Sequence, residues 1–131
     1  MKDINSSLIL NKIVFDKIEF ERKGFQNENE ISFEVEVQIG VNKENMYKVT
    51  LVLKGTKEAE YDFVISLSGF FTFETSGDLT ENQKQSLINT NAVAILMPYL
   101  RSEVSLLTAQ PNMDCVVLPV FNINKMLEEN E

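Results

Sequence analysis

Apolar and polar residues alternate through the first half of the chain, and this period of two predicts β-strands. Runs at residues 8–22, 31–39, 47–53 and 61–73 show it, with polar turns between them. In the first run the apolar phase changes, which predicts a bulge near Asp16 and Lys17. Because the intervening turns are short, we expect a four-stranded antiparallel meander with one apolar face.

Near residue 75 the period changes, and apolar residues then recur at helical spacing. Thr80 and Gln83 match a capping box and predict a short helix over residues 81–88. A longer helix is predicted over residues 91–108, because its apolar positions recur at spacings of three and four: Val93, Leu96, Leu100, Val104 and Leu107. Asn122 predicts the start of a terminal helix over residues 123–129.

Strands at about 8–73 followed by helices at about 80–129 indicate an α+β fold, with the helices packed on one face of the sheet. The length of 131 residues fits a single domain, residues 1–131. The long helix is apolar over much of its circumference, which favours a second cover from another subunit. Residues 109–121 are extended and apolar, and the pattern fits either a loop against the core or an interaction surface.

Charge and missing residue types narrow the function. Twenty acidic and 12 basic residues give a net charge of −8, which repels phosphates and argues against a nucleic-acid partner. The absence of His argues against an enzyme, a metal site or a cofactor. The single Cys cannot form an internal disulfide and fits a reducing, cytoplasmic location. Cys115 is expected to be a small buried hydrophobe. The apolar runs are too short for membrane insertion.

Three stretches resemble the SecB family of export chaperones and its SecB-like relatives. These are Ile95-Leu96-Met97-Pro98-Tyr99-Leu100-Arg101, Leu118-Pro119-Val120-Phe121-Asn122-Ile123 and Ser68-Gly69-Phe70-Phe71. The resemblance implies a four-stranded antiparallel sheet with helices on one face. It also implies a homo-oligomer, a dimer or a tetramer built as a dimer of dimers, that holds unfolded or precursor polypeptides in apolar grooves without ATP.

The resemblance also implies functional residues. The implied client-binding residues are Met113, Val116, Val117, Leu118, Val120, Phe121, Phe70 and Phe71. The implied oligomer interface is Ile95, Met97, Tyr99 and Arg101. Glu21 matches a carboxylate through which export members dock on the SecA motor. Lys17 and Val64 stand where the family has other parts of that acidic patch, so SecA docking is not favoured.

The resemblance therefore favours an ATP-independent holdase for unfolded polypeptides, with protein export as the system that it implies. Some relatives serve toxin–antitoxin systems, a role that these residues do not indicate. The alternative is an oligomeric adaptor or scaffold that recognises one dedicated protein partner. A third hypothesis is a module that binds a small molecule on the aromatic face of the sheet. Promiscuity towards unfolded proteins would separate the first hypothesis from the other two.

Overall fold

Four strands form one antiparallel sheet in the computed structural model, which describes residues 8–74 and 79–121. The strands are β1 (Leu8–Arg22), β2 (Ile31–Val41), β3 (Tyr47–Lys57) and β4 (Tyr61–Phe73), and their order across the sheet is β1-β4-β3-β2. The predicted α+β class and the antiparallel four-stranded sheet are confirmed. The positions of all four strands agree with the alternation in the sequence.

The strand order departs from the predicted meander. The neighbours β2, β3 and β4 do follow one another, but β1 pairs with β4 instead of β2. Three strand spacings of about 4.8 Å separate β1 from β2, or about 14 Å, whereas residues 23–30 reach about 26 Å when extended. This β1–β2 connector therefore crosses the end of the sheet, where Lys23 N and Gly24 N donate to Glu60 O at 2.7 and 3.1 Å. Turn length alone could not distinguish the two orders.

Two bulges in β1 keep its apolar residues on one face. The register against β4 shifts between Leu10 and Lys12 and again between Phe15 and Lys17, so the predicted bulge near Asp16 is confirmed. Each extra residue reverses the side on which the following residues point. Phe15 consequently pairs with Leu67, and Ile18 pairs with Ile65, on the same face of the sheet.

The helical half is continuous from residue 81 to residue 108. It consists of α1 (Glu81–Leu87), a π-helical segment (Ile88–Ala92) and α2 (Val93–Thr108). The predicted capping box is confirmed, since Gln83 N donates to Thr80 Oγ1 at 3.1 Å and Thr80 N donates to Gln83 Oε1 at 2.9 Å. The prediction of two separate helices was wrong, because the π-helical segment carries the backbone through without a break. The predicted terminal helix lies outside the described residues.

The core lies between α2 and the two central strands. Leu96 and Leu100 of α2 are fully buried, as are Leu51 of β3 and Leu67 of β4. A Cβ at Gly69 would lie 2.6 Å from Leu96 Cδ2, so the missing side chain lets the helix approach β4 closely. The apolar residues of β1 and β2 pack against this core but are only partly buried. The fold therefore leaves two half-covered apolar margins beside the helix.

Candidate functional site

Residues 109–121, which we call the crossing segment, connect the end of α2 to the far side of the sheet. At its start, the Arg22 guanidinium at the end of β1 donates to Asn112 O at 2.9 Å and to Pro111 O at 3.5 Å. At its end, the Phe121 ring meets Phe33 of β2 edge-on, with centroids 6.5 Å apart. The segment thus spans the sheet from the β1 edge to the β2 edge.

The middle of the crossing segment is fixed by the last turn of α2. Ser105 Oγ donates to Val116 O at 3.0 Å, and Val116 N donates to Thr108 Oγ1 at 2.8 Å. Thr108 is itself buried and donates to Val104 O at 2.9 Å. The Leu118 side chain is buried in the core. These contacts anchor the backbone to α2 and the core, although it belongs to neither a helix nor a strand.

The six predicted binding residues of the crossing segment differ in exposure. Val117 and Val120 point into solvent, with 73% and 88% of their surface exposed. Met113, Val116 and Phe121 are half-buried. Leu118 is 1% exposed, so it anchors the segment and offers no surface to a ligand. The accessible apolar surface is therefore centred on the two valines.

The two predicted binding residues of β4 lie elsewhere. Phe71 is fully buried in the core, which does not fit a direct client contact. Phe70 points to the opposite face of the sheet, where the Nζ atoms of Lys12 and Lys48 lie 5.7 and 5.8 Å from its ring centroid. Adjacent residues of a strand face opposite sides, so Phe70 lies on the face away from the crossing segment. Phe71 lies on the same face as that segment but is buried, so neither aromatic ring joins its surface.

The predicted interface residues of α2 are also divided. Met97 is buried under the sheet of its own chain, which does not fit an intersubunit contact. Ile95 and Arg101 are half-buried, and Tyr99 is exposed. Leu106, which the sequence analysis did not select, is 67% exposed and lies two helical turns from Tyr99 on the same face. The spacing of seven residues from Tyr99 was the feature of the sequence that could have identified Leu106 as part of the same face.

Glu21 lies on the outer face of the sheet, the face that the helices leave uncovered. It pairs in register with Asp62 of β4, and Lys23 forms an ion pair with the Asp62 carboxylate. Hydrogen bonding to Asp62, followed by its charge, raises the pKa of Lys23. Lys17 lies in the same strand, and Val64 pairs with Glu19. The carboxylates here are thus interspersed with a cation and an apolar residue.

A cluster of polar side chains joins the β1–β2 connector, the β3–β4 turn and the crossing segment. Lys57 Nζ lies 2.9 Å from Glu60 Oε1 and 4.0 Å from Asp114 Oδ2, and Gln26 Nε2 donates to Asp114 Oδ1 at 2.8 Å. We call Arg22, Gln26, Lys57, Glu60 and Asp114 the clasp. It ties together three segments that are distant in sequence, and it sets where the crossing segment begins.

Glu60 is the buried centre of the clasp. Burial acts to raise its pKa, but hydrogen bonds from Lys57 and from the Asn27 backbone amide, together with the charges of Lys57 and Arg22, leave the pKa below its usual value. Glu60 is therefore ionised at neutral pH and suits an electrostatic anchor. Burial first, and then the charges of Glu60 and Asp114, raise the pKa of Tyr61.

Within residues 8–74 and 79–121, no group of three His, Cys, Asp or Glu side chains has a metal-binding arrangement. Cys115 is exposed, which corrects the expectation that it is buried. Its Sγ lies 3.5 Å from Ser105 O, a contact that leaves the thiol accessible to solvent. The crossing segment therefore offers exposed apolar side chains on a backbone anchored by hydrogen bonds.

Phe25 is 91% exposed in the β1–β2 connector, and no pattern in the sequence predicted a role for it. It stands between Gly24 and Gln26, just ahead of residues 27–30, for which the sequence predicts a polar turn. A lone aromatic residue in a polar connector, outside any period of two or 3.6, was the available signal.

No helix in the described part of the chain has the length and hydrophobicity that a membrane crossing requires.

Comparisons with known proteins agree with this architecture. The chain is 28% identical over 106 residues to an uncharacterized protein of Methanocaldococcus jannaschii, a match that covers 77% of this chain and 68% of that protein. The fold of the present chain matches that of a SecB-like chaperone of Mycobacterium tuberculosis, which was solved in complex with a ChAD peptide from the HigA1 antitoxin. That match has a TM-score of 0.72 and 15% identity, and it covers 89% of this chain and 92% of the other. The family described as preprotein translocase subunit SecB matches residues 7–131. The chain belongs to the SecB family.

Proposed function

We propose that the protein is an ATP-independent chaperone that binds unfolded or non-native polypeptide through the crossing segment. The observation that carries this proposal is the exposure of Val117 and Val120 on a backbone fixed through Arg22 and Thr108. Exposed apolar side chains gain about 25 cal/mol for each Å² that a ligand covers, and such contacts require no particular ligand sequence. Membership of the SecB family supports this role.

Fixed backbone favours binding because less conformational entropy remains to be lost when a polypeptide docks. A single site of this kind binds weakly, since two valines cover little area. We propose that Tyr99 and Leu106 on the exposed face of α2 join subunits into a dimer or tetramer. Several sites on one assembly would then act together on one long polypeptide and raise the overall affinity.

A dedicated partner is the second candidate. The Mycobacterium tuberculosis SecB-like chaperone with the same fold was solved with a peptide from an antitoxin. By analogy, the crossing segment here would bind one segment of one partner protein, and the chain would act as an adaptor.

The outer face of the sheet gives no support to SecA docking, because Lys17 and Val64 alternate there with the carboxylates. We therefore propose no role in protein export. The single cysteine, which cannot form an internal disulfide, favours a cytoplasmic site of action.

The test is suppression of aggregation of an unrelated unfolded protein, with the mass of the chaperone followed by light scattering. We expect suppression near stoichiometric ratios without ATP, and loss of suppression in the double variant Val117→Asp, Val120→Asp. Val41→Asp is the matched control, because Val41 is also exposed but lies at the end of β2 remote from the crossing segment. Phe121→Asp is less informative, since Phe121 packs on Phe33 and its loss would disturb the fold.

The two candidates predict different results. A folded wild-type oligomer that leaves aggregation unchanged would refute the general chaperone and favour the dedicated adaptor. Equal activity of the wild type and the Val117→Asp, Val120→Asp variant would remove the crossing segment from the mechanism. Loss of activity in Val41→Asp as well would attribute the effect to added charge and not to this surface.

A further inference from the structure

The outer face of the sheet carries an aromatic side chain between two lysines. Phe70 of β4 is half-buried there, and it pairs in register with Lys12 of β1 on one side and with Lys48 of β3 on the other. Both lysines are exposed, and their Nζ atoms lie over the ring at 5.7 and 5.8 Å from its centroid. We call these three residues the basic clamp. It presents two positive charges around one apolar surface.

The first bulge of β1 determines where Lys12 lies. The register against β4 shifts between Leu10 and Lys12, so Asn11 is the extra residue. Asn11 Nδ2 donates to Thr72 Oγ1 at 2.9 Å, which fixes the bulge against β4. Without the extra residue, Asn11 would stand opposite Phe70, and Lys12 would point towards the core. The bulge thus places a charge beside the ring, as bulges do where they redirect a side chain.

The two positive charges are not neutralised by their own chain. Within residues 8–74 and 79–121, neither lysine of the basic clamp forms an ion pair, whereas Lys17 and Lys23 both pair with carboxylates. The acidic end of the outer face, at Asp62, lies eight residues along β4 from Phe70, or about 26 Å. Charges at that distance are screened at physiological salt, where the Debye length is about 8 Å. The basic clamp is therefore a local positive patch on a chain of net charge −8.

The surface around the basic clamp is open to a ligand. Gly40 of β2 pairs with Lys48, and a Cβ at Gly40 would meet nothing within 4 Å. One step further along the strands, the Asp16 carboxylate accepts from Ser68 Oγ at 2.5 Å, and Ser68 Oγ lies 2.8 Å from Thr50 Oγ1. These polar groups are satisfied by one another, so the lysine charges stay available.

We propose that the basic clamp is a docking site for an acidic segment of a partner protein, in which carboxylate side chains flank an apolar one. The carboxylates would pair with Lys12 and Lys48, and the apolar side chain would cover the Phe70 ring. Exposed ion pairs contribute little singly, so the aromatic surface between the charges supplies the additional contact. This site lies on the face opposite the crossing segment, and it does not depend on the proposed function.

A second copy of this chain fits the basic clamp less well than a different protein. Two chains of net charge −8 repel each other overall. On the outer face of each copy, Glu19 and Asp62 are already paired with Lys17 and Lys23 of the same chain. An acidic segment with unpaired carboxylates gains attraction from both lysines and breaks no existing ion pair.

The test measures binding of a fluorescein-labelled synthetic peptide, in which glutamates flank a single phenylalanine, to the full-length protein by fluorescence anisotropy. We expect the double variant Lys12→Glu, Lys48→Glu to weaken binding about tenfold, because two attractions become repulsions. The matched control is Lys43→Glu, Lys54→Glu, which changes the net charge equally at two exposed lysines and should weaken binding less than about threefold. Phe70→Leu, which removes the ring and keeps an apolar side chain, should weaken binding about threefold.

Thermal unfolding shows whether each variant is folded. If the charge-reversed variant is unfolded, Lys12→Gln, Lys48→Gln takes its place, and it should still bind more weakly than the wild type. The Val117→Asp, Val120→Asp variant should bind the acidic peptide as the wild type does, since the crossing segment lies on the other face. Loss of peptide binding in that variant would place the peptide at the crossing segment and refute the basic clamp without touching the proposed function.

Three other results would overturn the inference. Equal weakening in the clamp variant and the control would attribute binding to net charge, and a wild type that does not bind the peptide would show that the clamp takes no acidic segment. Binding of phosphatidylglycerol vesicles but not of the peptide, lost on Lys12→Glu, Lys48→Glu, would assign the clamp to a membrane surface. A lower mass of that variant in light scattering, relative to the wild type, would assign it to a contact between copies of this chain.

Discussion

Replacing Glu60 with Gln tests the clasp at its buried centre. The substitution keeps the shape of the side chain and an acceptor for Asn27 N, but it removes the negative charge beside Lys57. Both side chains are buried, so Lys57 would be left as a buried cation that lacks its nearest counter-charge. The three segments joined at this point should then be held less firmly.

The expected cost follows from the remaining partners of Lys57. Removing one member of a buried ion pair typically costs about 3–5 kcal/mol. Here Lys57 Nζ keeps its hydrogen bond to Asn27 O at 2.9 Å and has Asp114 at 4.0 Å, which lowers the loss. We therefore expect Glu60→Gln to reduce the free energy of unfolding by about 2–3 kcal/mol at neutral pH. With a urea dependence of about 2 kcal/mol per molar, the unfolding midpoint falls by about 1–1.5 M.

The pH dependence provides the stricter test. The pKa of Glu60 is lower in the folded chain than its ordinary value of 4.5, so its contribution to stability is complete above that value. The contribution is lost as pH falls through the folded-state pKa. The difference between wild type and Glu60→Gln, measured by urea unfolding at a fixed protein concentration, should shrink in acid. Equal midpoints at neutral pH, or a difference that persists unchanged in strong acid, would refute this account of the clasp.

Four further predictions concern single residues. Gly24→Ala should destabilise the fold by about 1–3 kcal/mol in thermal unfolding, because its Cβ would meet Ala59 O, whereas Gly40→Ala should be neutral because nothing lies within 4 Å. Leu96→Ala should cost about 2–5 kcal/mol in urea unfolding, and a loss below 1 kcal/mol would contradict its placement in the core. Ultraviolet absorbance should show Tyr61 ionising with a pKa above the ordinary value of 10.0. Its contribution to stability should be intact below pH 10.0 and lost above it, and ionisation with the ordinary pKa would contradict its burial. Cys115 should react with a thiol reagent in the native protein within about tenfold of the unfolded rate, since it is exposed; a far slower native reaction would show burial.

Local regularities in the sequence predicted the elements. The alternation over residues 31–39 gave the apolar face of β2, and the phase change in β1 correctly indicated the bulge near Asp16. The Thr80–Gln83 pattern gave the start of α1, because a capping box depends only on neighbouring residues. Such features are encoded within one strand or one turn, so a single sequence suffices to find them.

Pairing across the sheet could not be obtained in this way. Residues 23–30 are long enough either to make a local turn or to cross the sheet. The choice between these two paths depends on Glu60, a residue distant in sequence, whose carbonyl oxygen accepts hydrogen bonds from the connector backbone. The same limit applies to Met97, which was assigned to an oligomer interface by resemblance, although it lies four residues after Val93 and is buried by its own sheet. Helical spacing gives an approximate face, but contact with the sheet decides which of its margins is covered.

The candidate site shows the limit most clearly. The sequence marked residues 109–121 as apolar, and composition alone made Leu118 and Val117 equivalent candidates. Polar contacts separate them: Thr108 and Arg22 fix the backbone, and that fixed path buries Leu118 while it exposes Val117. Thr108 lies at the spacing of four set by Leu100 and Val104, and Arg22 ends β1, so neither position reveals in the sequence which backbone group it contacts. In this fold the apolar pattern therefore determines which residues could bind, and the polar contacts that cross between segments determine which of them are presented.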